Sequence, residues 1–281
     1  MGTPELDRIM DAAIDAALRE DMPDGDITSD SVIAAGSRSE AFFLAKEDGV
    51  LAGLPVASRV FEKLDPSIIF IERFREGSVF HQSDKLARVK GPTIALLKGE
   101  RTALNFLQRL CGVATATRRF VDAVAGTKTR ILDTRKTTPG LRLLEKYAVR
   151  TAGGSNHRMS LSDMVLIKDN HLRRVGSVSE AVRKARAAVK PGIRIEVEAA
   201  SLLQVREALA SGADMIMLDN MPLEQMRQAV AIAAGRVPLE ASGNMTLDRV
   251  RAVAETGVDY ISVGALTHSA KAIDISLEFV S

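Results

Sequence analysis

IRIEVEAASLLQVREALASGADMIMLDN, residues 193–220, holds two short apolar runs separated by a segment with helical signals. The runs IRIEVEA and MIMLDN are rich in β-branched and apolar residues, the texture of strands buried on both faces. Between them Ser201 reads as an N-cap and Gly212 as a C-terminal stop. The stretch is therefore a β-α-β unit. TRILDTR, MVLIKDN, VPLEASG and YISVGAL repeat the same texture, with helical segments between most of them. Ser177 with Glu180 makes a capping-box pattern, Thr246 a further N-cap and Gly257 a further stop. Runs of this kind from about residue 129 onward predict a parallel sheet covered by helices. A closed or nearly closed α/β barrel is favoured over an open doubly wound sheet. No GxGxxG follows any run, so a dinucleotide fold has no support.

Upstream, Leu6, Ile9, Met10, Ala13, Ile14, Ala17 and Leu18 recur at helical spacing behind Thr3-Pro4 and predict an amphipathic opening helix. AFFLA (41–45), GVLAG (49–53) and SIIFIE (67–72) read as strands between turn signals. A longer helix is expected from about Gly99 to Ala125. Leu104, Leu107, Leu110 and Cys111 mark one face of it, and Arg101, Asn105 and Arg109 form a polar stripe on the other.

At 281 residues and 46% hydrophobic content the chain can bury a large core. Its 38 Lys+Arg against 36 Asp+Glu are too balanced, and its 4% aromatic content too low, for a nucleic-acid binder. The single Cys111 excludes an intrachain disulfide and a Cys-based zinc site. The opening segment has no uninterrupted apolar run, so neither a secretory signal nor a membrane partner is expected, and the cytoplasm is the expected compartment.

Each of the six runs ends in residues that a buried strand has no packing reason to carry. They include Asp133-Thr134-Arg135-Lys136, Lys168-Asp169-Asn170, Glu196 with Glu198, Asp219-Asn220, Ser242-Gly243-Asn244, and Gly264 with Thr267-His268-Ser269. In an α/β barrel all strand carboxyl ends meet at one mouth. Arg135, Lys136, Arg158 and Lys168, with His157 alongside, would repel one another there without anions, so polyanionic ligands are the simpler account. Glu198 and Asp219 suit hydroxyl groups or a hydrated Mg²⁺, though salt bridges to the same cations remain an alternative. The 242–244 and 263–265 loops stand where barrels bind phosphate on backbone N–H groups. Gly153-Gly154 allow the backbone to bring His157 and Arg158 to the same place. These residues describe a barrel that binds a phosphorylated sugar-like group with a second anionic partner. A Schiff-base aldolase using Lys168 and a non-catalytic phosphosugar-binding regulator are the alternatives.

GERTALNFLQRL, ILDTRKTTPGLRLLEKYAVR, GGSNHR, LIKDNH, EVE, IMLDN, EASGN and GVDYISVGALTHSA together resemble the quinolinate phosphoribosyltransferase family, over nearly the whole chain. The resemblance implies a type II phosphoribosyltransferase. Residues 1–114 would form an N-terminal α/β sandwich to which the tail 270–281 returns, and 115–269 an incomplete α/β barrel. It implies conversion of quinolinate and phosphoribosyl pyrophosphate to nicotinate mononucleotide, pyrophosphate and CO₂ in NAD biosynthesis, in a homodimer or higher homo-oligomer. By the same resemblance Arg135, His157, Arg158 and Lys168 bind quinolinate, with Arg101 reaching in from a neighbouring subunit. Lys136, Glu198 and Asp219 contact phosphoribosyl pyrophosphate or Mg²⁺, the two acids as direct or indirect metal ligands. Ser242, Gly243 and Gly264 hold the 5′-phosphate. The chain departs from the family pattern at Ala152 and Ser160, where glycine is frequent, and at Asn244, which takes a glycine's place in the phosphate loop.

Overall fold

A computed structural model describes residues 4–280, so Thr3, expected at the start of the opening helix, lies outside the described residues. The chain forms two compact units. One comprises the residues up to Arg118, Thr137–Gly153 and the segment from Ser269 on; the other comprises Arg119–Lys136 and Gly154–His268. Residues 137–153, which the sequence reading assigned to the barrel, thus group with the first unit. Among the described residues no helix is long and apolar enough to cross a membrane.

The first unit opens with α1 (Pro4–Asp21), which buries Leu6, Met10 and Ile14. Asp26 caps α2 (Ile27–Val32) by accepting from the Thr28 and Ser29 N–H groups. Then come β1 (Arg38–Ala45), β2 (Gly49–Val50), α3 (Leu54–Leu64), β3 (Ile69–Glu72), β4 (Val79–Phe80), β5 (Lys85–Pro92) and α4 (Thr93–Ala123). α3 turns its buried Val56, Val60 and Phe61 to the sheet, where the Phe61 ring meets Phe43 at 6.2 Å edge-on and Phe70 at 6.3 Å. The strand expected from Ser67 begins at Ile69, because the Asp65 carboxylate accepts from Ser67 N–H at 2.8 Å and holds a turn there. α4 begins at Thr93, earlier than expected, and buries Leu104, Leu107, Leu110 and Cys111. Burial pushes the Cys111 thiol up to about 12, which leaves it inert as a nucleophile.

In the second unit six parallel strands carry the barrel: β6 (Arg130–Leu132), β7 (Val165–Ile167), β8 (Ile195–Ala199), β9 (Met215–Asp219), β10 (Leu239–Ser242) and β11 (Tyr260–Ser262). They correspond to the six apolar runs. Their order is β6-β11-β10-β9-β8-β7, and among the described residues β6 and β7 do not pair. A single bridge, Leu132 to Ser155, extends the β6 edge. The barrel is incomplete, as the resemblance implied. After β6, α5 (Arg142–Thr151) returns to the first unit. The helices that belong to the barrel unit are α6 (Asp169–Val175), α7 (Val178–Ala188), α8 (Leu202–Ala210), α9 (Leu223–Ala233), α10 (Leu247–Ala254) and α11 (Ala265–His268). Ser177 and Ser201 cap α7 and α8 through their hydroxyls, whereas Thr246 precedes α10 without a side-chain cap.

The grouping of residues 137–153 with the first unit has a physical cause. Glu145 on α5 is fully buried, and Arg109 of α4 donates to it from Nε at 3.0 Å and Nη2 at 2.7 Å. Thr138 adds its N–H at 3.0 Å and its hydroxyl at 2.7 Å. A buried carboxylate this well satisfied fixes its segment, because any one donor's loss leaves charge unmet. Arg109 also donates to the Ala270 carbonyl at 2.8 Å, and β12 (Ile275–Phe279) completes the antiparallel sheet, ordered β12-β1-β5-β3. The tail passes so close to α4 that a Cβ on Gly112 would lie 2.1 Å from the Lys271 carbonyl oxygen. Gly112→Ala is therefore expected to cost about 1–3 kcal/mol by forcing the tail off the helix, measured as a lowered urea midpoint at unchanged slope.

Candidate active site

Alternate residues of a strand face the same side, and in a barrel one set faces the interior. The cavity at the carboxyl ends of the six strands follows that rule. It is lined by Leu166 and Lys168, Glu198, Met217 and Asp219, Glu240 and Ser242, and Ser262 and Gly264, in steps of two along successive strands. Arg135 and Lys136 after β6, and His157 and Arg158 from the next loop, complete a space of about 830 Å³, the size of a small-ligand site. Ten of the residues singled out in the sequence thus converge: Arg135, Lys136, His157, Arg158, Lys168, Glu198, Asp219, Ser242, Gly243 and Gly264. Arg101 does not; it is an exposed residue of α4 in the first unit.

The cationic side is held by bonds running away from the cavity. Asp133 is fully buried, accepting the His157 N–H at 2.9 Å and the Asn156 side-chain amide. Arg158 donates Nη1 to the Met164 carbonyl at 3.0 Å. Burial, and then the charge of Arg135, lower the Arg158 pKa, so the two guanidiniums compete for the same desolvated space. The Arg135 Nε is buried with no acceptor among the described residues. Such an orphaned donor costs free energy unless a guest supplies an oxygen.

His157 is bound from beneath. Its Nε2 lies 3.0 Å from Glu196 and 3.2 Å from Glu240, both fully buried carboxylates. Burial opposes charge on the ring, but the hydrogen bonds to the two acids outweigh it and raise the pKa to about 10. The Arg158 backbone nitrogen lies 2.7 Å from Nδ1. Nε2 therefore carries a proton at neutral pH and is not open to a metal, although the three side chains cluster closely enough to suggest one. Nε2 is taken up by the two acids, so what His157 offers a ligand is positive charge and a ring edge. Glu196 has its pKa raised by burial and by the neighbouring charge of Glu240. Glu196 was visible as a strand-end acid; its bond with Glu240 to one histidine needs the barrel's closure and has no sequence signature.

Across the cavity Glu198, half-buried, has its pKa raised by burial and then by the charge of Asp219. Lys136 is fixed through its carbonyl, which accepts from the Thr267 hydroxyl at 2.7 Å, and its side chain passes Gly264 so closely that a Cβ there would lie 3.1 Å from Lys136 Cδ. In the 242–244 loop Gly243 has φ 98° and Asn244 φ 48°, so asparagine adopts the left-handed backbone that a glycine would take without strain. The other departures are equally unstrained. Ala152 closes α5 at φ −87°, and the Ser160 N–H is accepted by Asp163 at 3.0 Å.

Family profiles match both parts of the chain: the quinolinate phosphoribosyl transferase N-terminal domain at residues 26–111 and its C-terminal domain at 113–278. A probable nicotinate-nucleotide pyrophosphorylase [carboxylating] of Bacillus subtilis (strain 168) is 46% identical, over 92% of this chain and 89% of its own length. Quinolinate phosphoribosyltransferase [decarboxylating] 1b of Nicotiana tabacum is 43% identical, over 94% of this chain and 81% of its own length. The crystal structure of NadC from Streptococcus pyogenes superposes with a TM-score of 0.95 at 42% identity, covering 100% of this chain and 99% of that one.

His157→Leu is expected to leave Glu196 and Glu240 buried without a counter-cation and to lower stability at pH 7 by about 3–5 kcal/mol in urea unfolding. The sign follows from the raised pKa values. The histidine's contribution is full below its unfolded value of about 6.5 and fades as pH rises through about 10. The variant's deficit should therefore shrink at alkaline pH, and also at acid pH as the glutamates protonate.

Proposed function

The chain belongs to the quinolinate phosphoribosyltransferase family, and on that premise we propose how its barrel cavity divides the work. The reaction transfers the phosphoribosyl group of phosphoribosyl pyrophosphate to quinolinate with loss of CO₂, giving nicotinate mononucleotide and pyrophosphate in NAD biosynthesis. Arg135, Arg158 and Lys168 hold the two carboxylates of quinolinate, with the His157 charge behind them and Leu166 and Met217 against the ring. The observation that carries this reading is the orphaned Arg135 Nε in a cavity that Arg158 and Lys168 also line, since a carboxylate supplies the oxygen it lacks. Ser242, Gly243 and Gly264 take the 5′-phosphate on the opposite side, and Asp219 and Glu198 take the ribose hydroxyls.

Fixed in this way, the ring nitrogen faces C1 of the ribose. Its lone pair forms the new bond as the C1–O bond to pyrophosphate breaks and pyrophosphate leaves with that electron pair. Lys136, beside Gly264, offsets the charge that develops on the leaving group, while Glu198 and Asp219 offset the oxocarbenium character at C1. The ring nitrogen is now cationic, so the bond to the adjacent carboxylate can break. CO₂ departs, the electron pair stays on the ring carbon, and a proton from water replaces it. Mg²⁺ would suit the donor set: burial and the neighbouring charge of Asp219 raise the Glu198 pKa, and the two acids are few enough for an ion that also takes phosphate oxygens, directly or through water. When bound, it neutralises charge on the pyrophosphate. Arg101 reaches the quinolinate end of a second copy's cavity within a homodimer or larger homo-oligomer; its exposure on α4 supports this. A cytoplasmic setting accords with the single, buried, free thiol.

With carboxyl-labelled quinolinate, phosphoribosyl pyrophosphate and Mg²⁺, CO₂ and pyrophosphate should appear in equal amounts and only when all components are present. Pyrophosphate without CO₂ would overturn the reading. Arg135→Lys, which replaces a fork with a point charge, should lower kcat/KM for quinolinate by about 1–3 kcal/mol in transition-state free energy. Mixing the separately inactive Arg101→Ala and Lys136→Ala proteins should restore activity, because one mixed dimer holds one intact site; no recovery after subunit exchange would remove the shared-site claim.

A further inference from the structure

At the phosphate side of the cavity two loops are tied together by side chains that the reaction scheme leaves unused. Asn220 follows Asp219 at the end of β9, with φ 52° in the left-handed region. Its N–H donates to the Ser242 carbonyl at 3.0 Å. Its Nδ2 donates to Asp219 Oδ1 at 3.0 Å, and its Oδ1 accepts from Asn244 Nδ2 at 3.3 Å. Gly243 packs so tightly on this amide that a Cβ would lie 2.1 Å from Asn220 Oδ1. From α10, Arg249 donates Nη1 to the Gly243 carbonyl at 3.1 Å and Nη2 to the Met221 carbonyl at 3.2 Å.

These bonds join two functions. One amide of Asn220 orients the Asp219 carboxylate and braces the loop that follows β10, and one guanidinium fork sets the spacing between the loops after β9 and β10. A fork is suited to this because its two donors are fixed relative to each other. A carbonyl engaged by Arg249 is also held away from an anionic guest, for which its negative end would be repulsive. We infer that Asn220 and Arg249 are positioning residues for the phosphoribosyl donor, setting the distance between the Asp219 carboxylate and the 242–244 loop. The inference rests on the placement of ribose hydroxyls at Asp219 and of the 5′-phosphate at Ser242 and Gly243. It predicts an effect on one substrate only, since none of these contacts involves Arg135, Arg158 or Lys168.

The test compares Asn220→Gly, which tolerates the left-handed backbone but removes the amide, with Arg249→Met and Arg249→Lys. KM for each substrate, kcat and thermal midpoint are measured. KM for phosphoribosyl pyrophosphate should rise about tenfold in Asn220→Gly and Arg249→Met, equivalent to about 1.4 kcal/mol, with KM for quinolinate within about twofold of wild type. Arg249→Lys should recover part of the loss. An unchanged KM for phosphoribosyl pyrophosphate, or an equal rise for both substrates, would overturn the inference while leaving the site assignment standing. Asp219→Asn serves as the control: if it leaves the KM for phosphoribosyl pyrophosphate unchanged, the site assignment fails and the inference fails with it.

Discussion

Mutual repulsion between Arg135 and Arg158 in a desolvated cavity is the constraint on which the rest of the site depends. Two guanidiniums sharing such a space raise the free energy of the folded protein; burial first, and then the charge of Arg135, lower the Arg158 pKa. The protein contains this cost from below, by placing the fully buried Glu196 and Glu240 under His157. It does not abolish it, because the charge of Glu196 offsets only part of what lowers the Arg158 pKa. The site is thereby left electropositive on one side, the state in which a dianionic ligand gains most. Catalytic sites commonly store strain of this sort, and the surrounding fold must be stable enough to carry it.

The barrel provides that stability through its strand alternation. Residues at odd positions of β8, such as Ile195 and Val197, pack outward under the helices, while Glu196 and Glu198 face inward. The same alternation puts Met217 and Asp219 on the inner face of β9, and Glu240 and Ser242 on that of β10. Two layers result: a lower one that binds His157, and an upper one that faces the cavity. A shift of one residue in any of these strands would exchange cavity-lining side chains for core side chains, so register and cavity chemistry are specified together.

Much of this was legible in the sequence because barrel strands are short, apolar and punctuated by chemistry at their ends. The six runs became six strands, and ten strand-end or loop residues met at one cavity. Legibility failed where structure is set by satisfaction of polar groups and not by periodicity. Lys85–Pro92 forms β5, yet KLARVKGP mixes charges with apolar residues, because each strand of the antiparallel sheet alternates between covered and exposed sides. Residues 137–153 group with the first unit because Glu145 needs the donors of Arg109 and Thr138, a pairing across 36 positions that no local pattern announces. Arg109, within the polar stripe of α4, is a structural tie to Glu145 and the Ala270 carbonyl. His157, expected as a ligand contact, lines the cavity, and the hold of Glu196 on its Nε2 is what no local pattern announces. Asn220 stands among the strand-end residues, but its bracing of the next loop has no sequence signature, and Arg249 has none at all because its partners are backbone carbonyls.

The central claim is that the paired cations await two carboxylates on one ring. Calorimetric titration of the purified protein with quinolinate, and with nicotinate, which lacks the carboxylate beside the ring nitrogen, measures this directly. Quinolinate is expected to bind more tightly by on the order of a hundredfold, the worth of a charge-assisted bidentate contact in a desolvated site. Equal affinity for the two acids would show that the second carboxylate meets no dedicated cation, and would contradict the account.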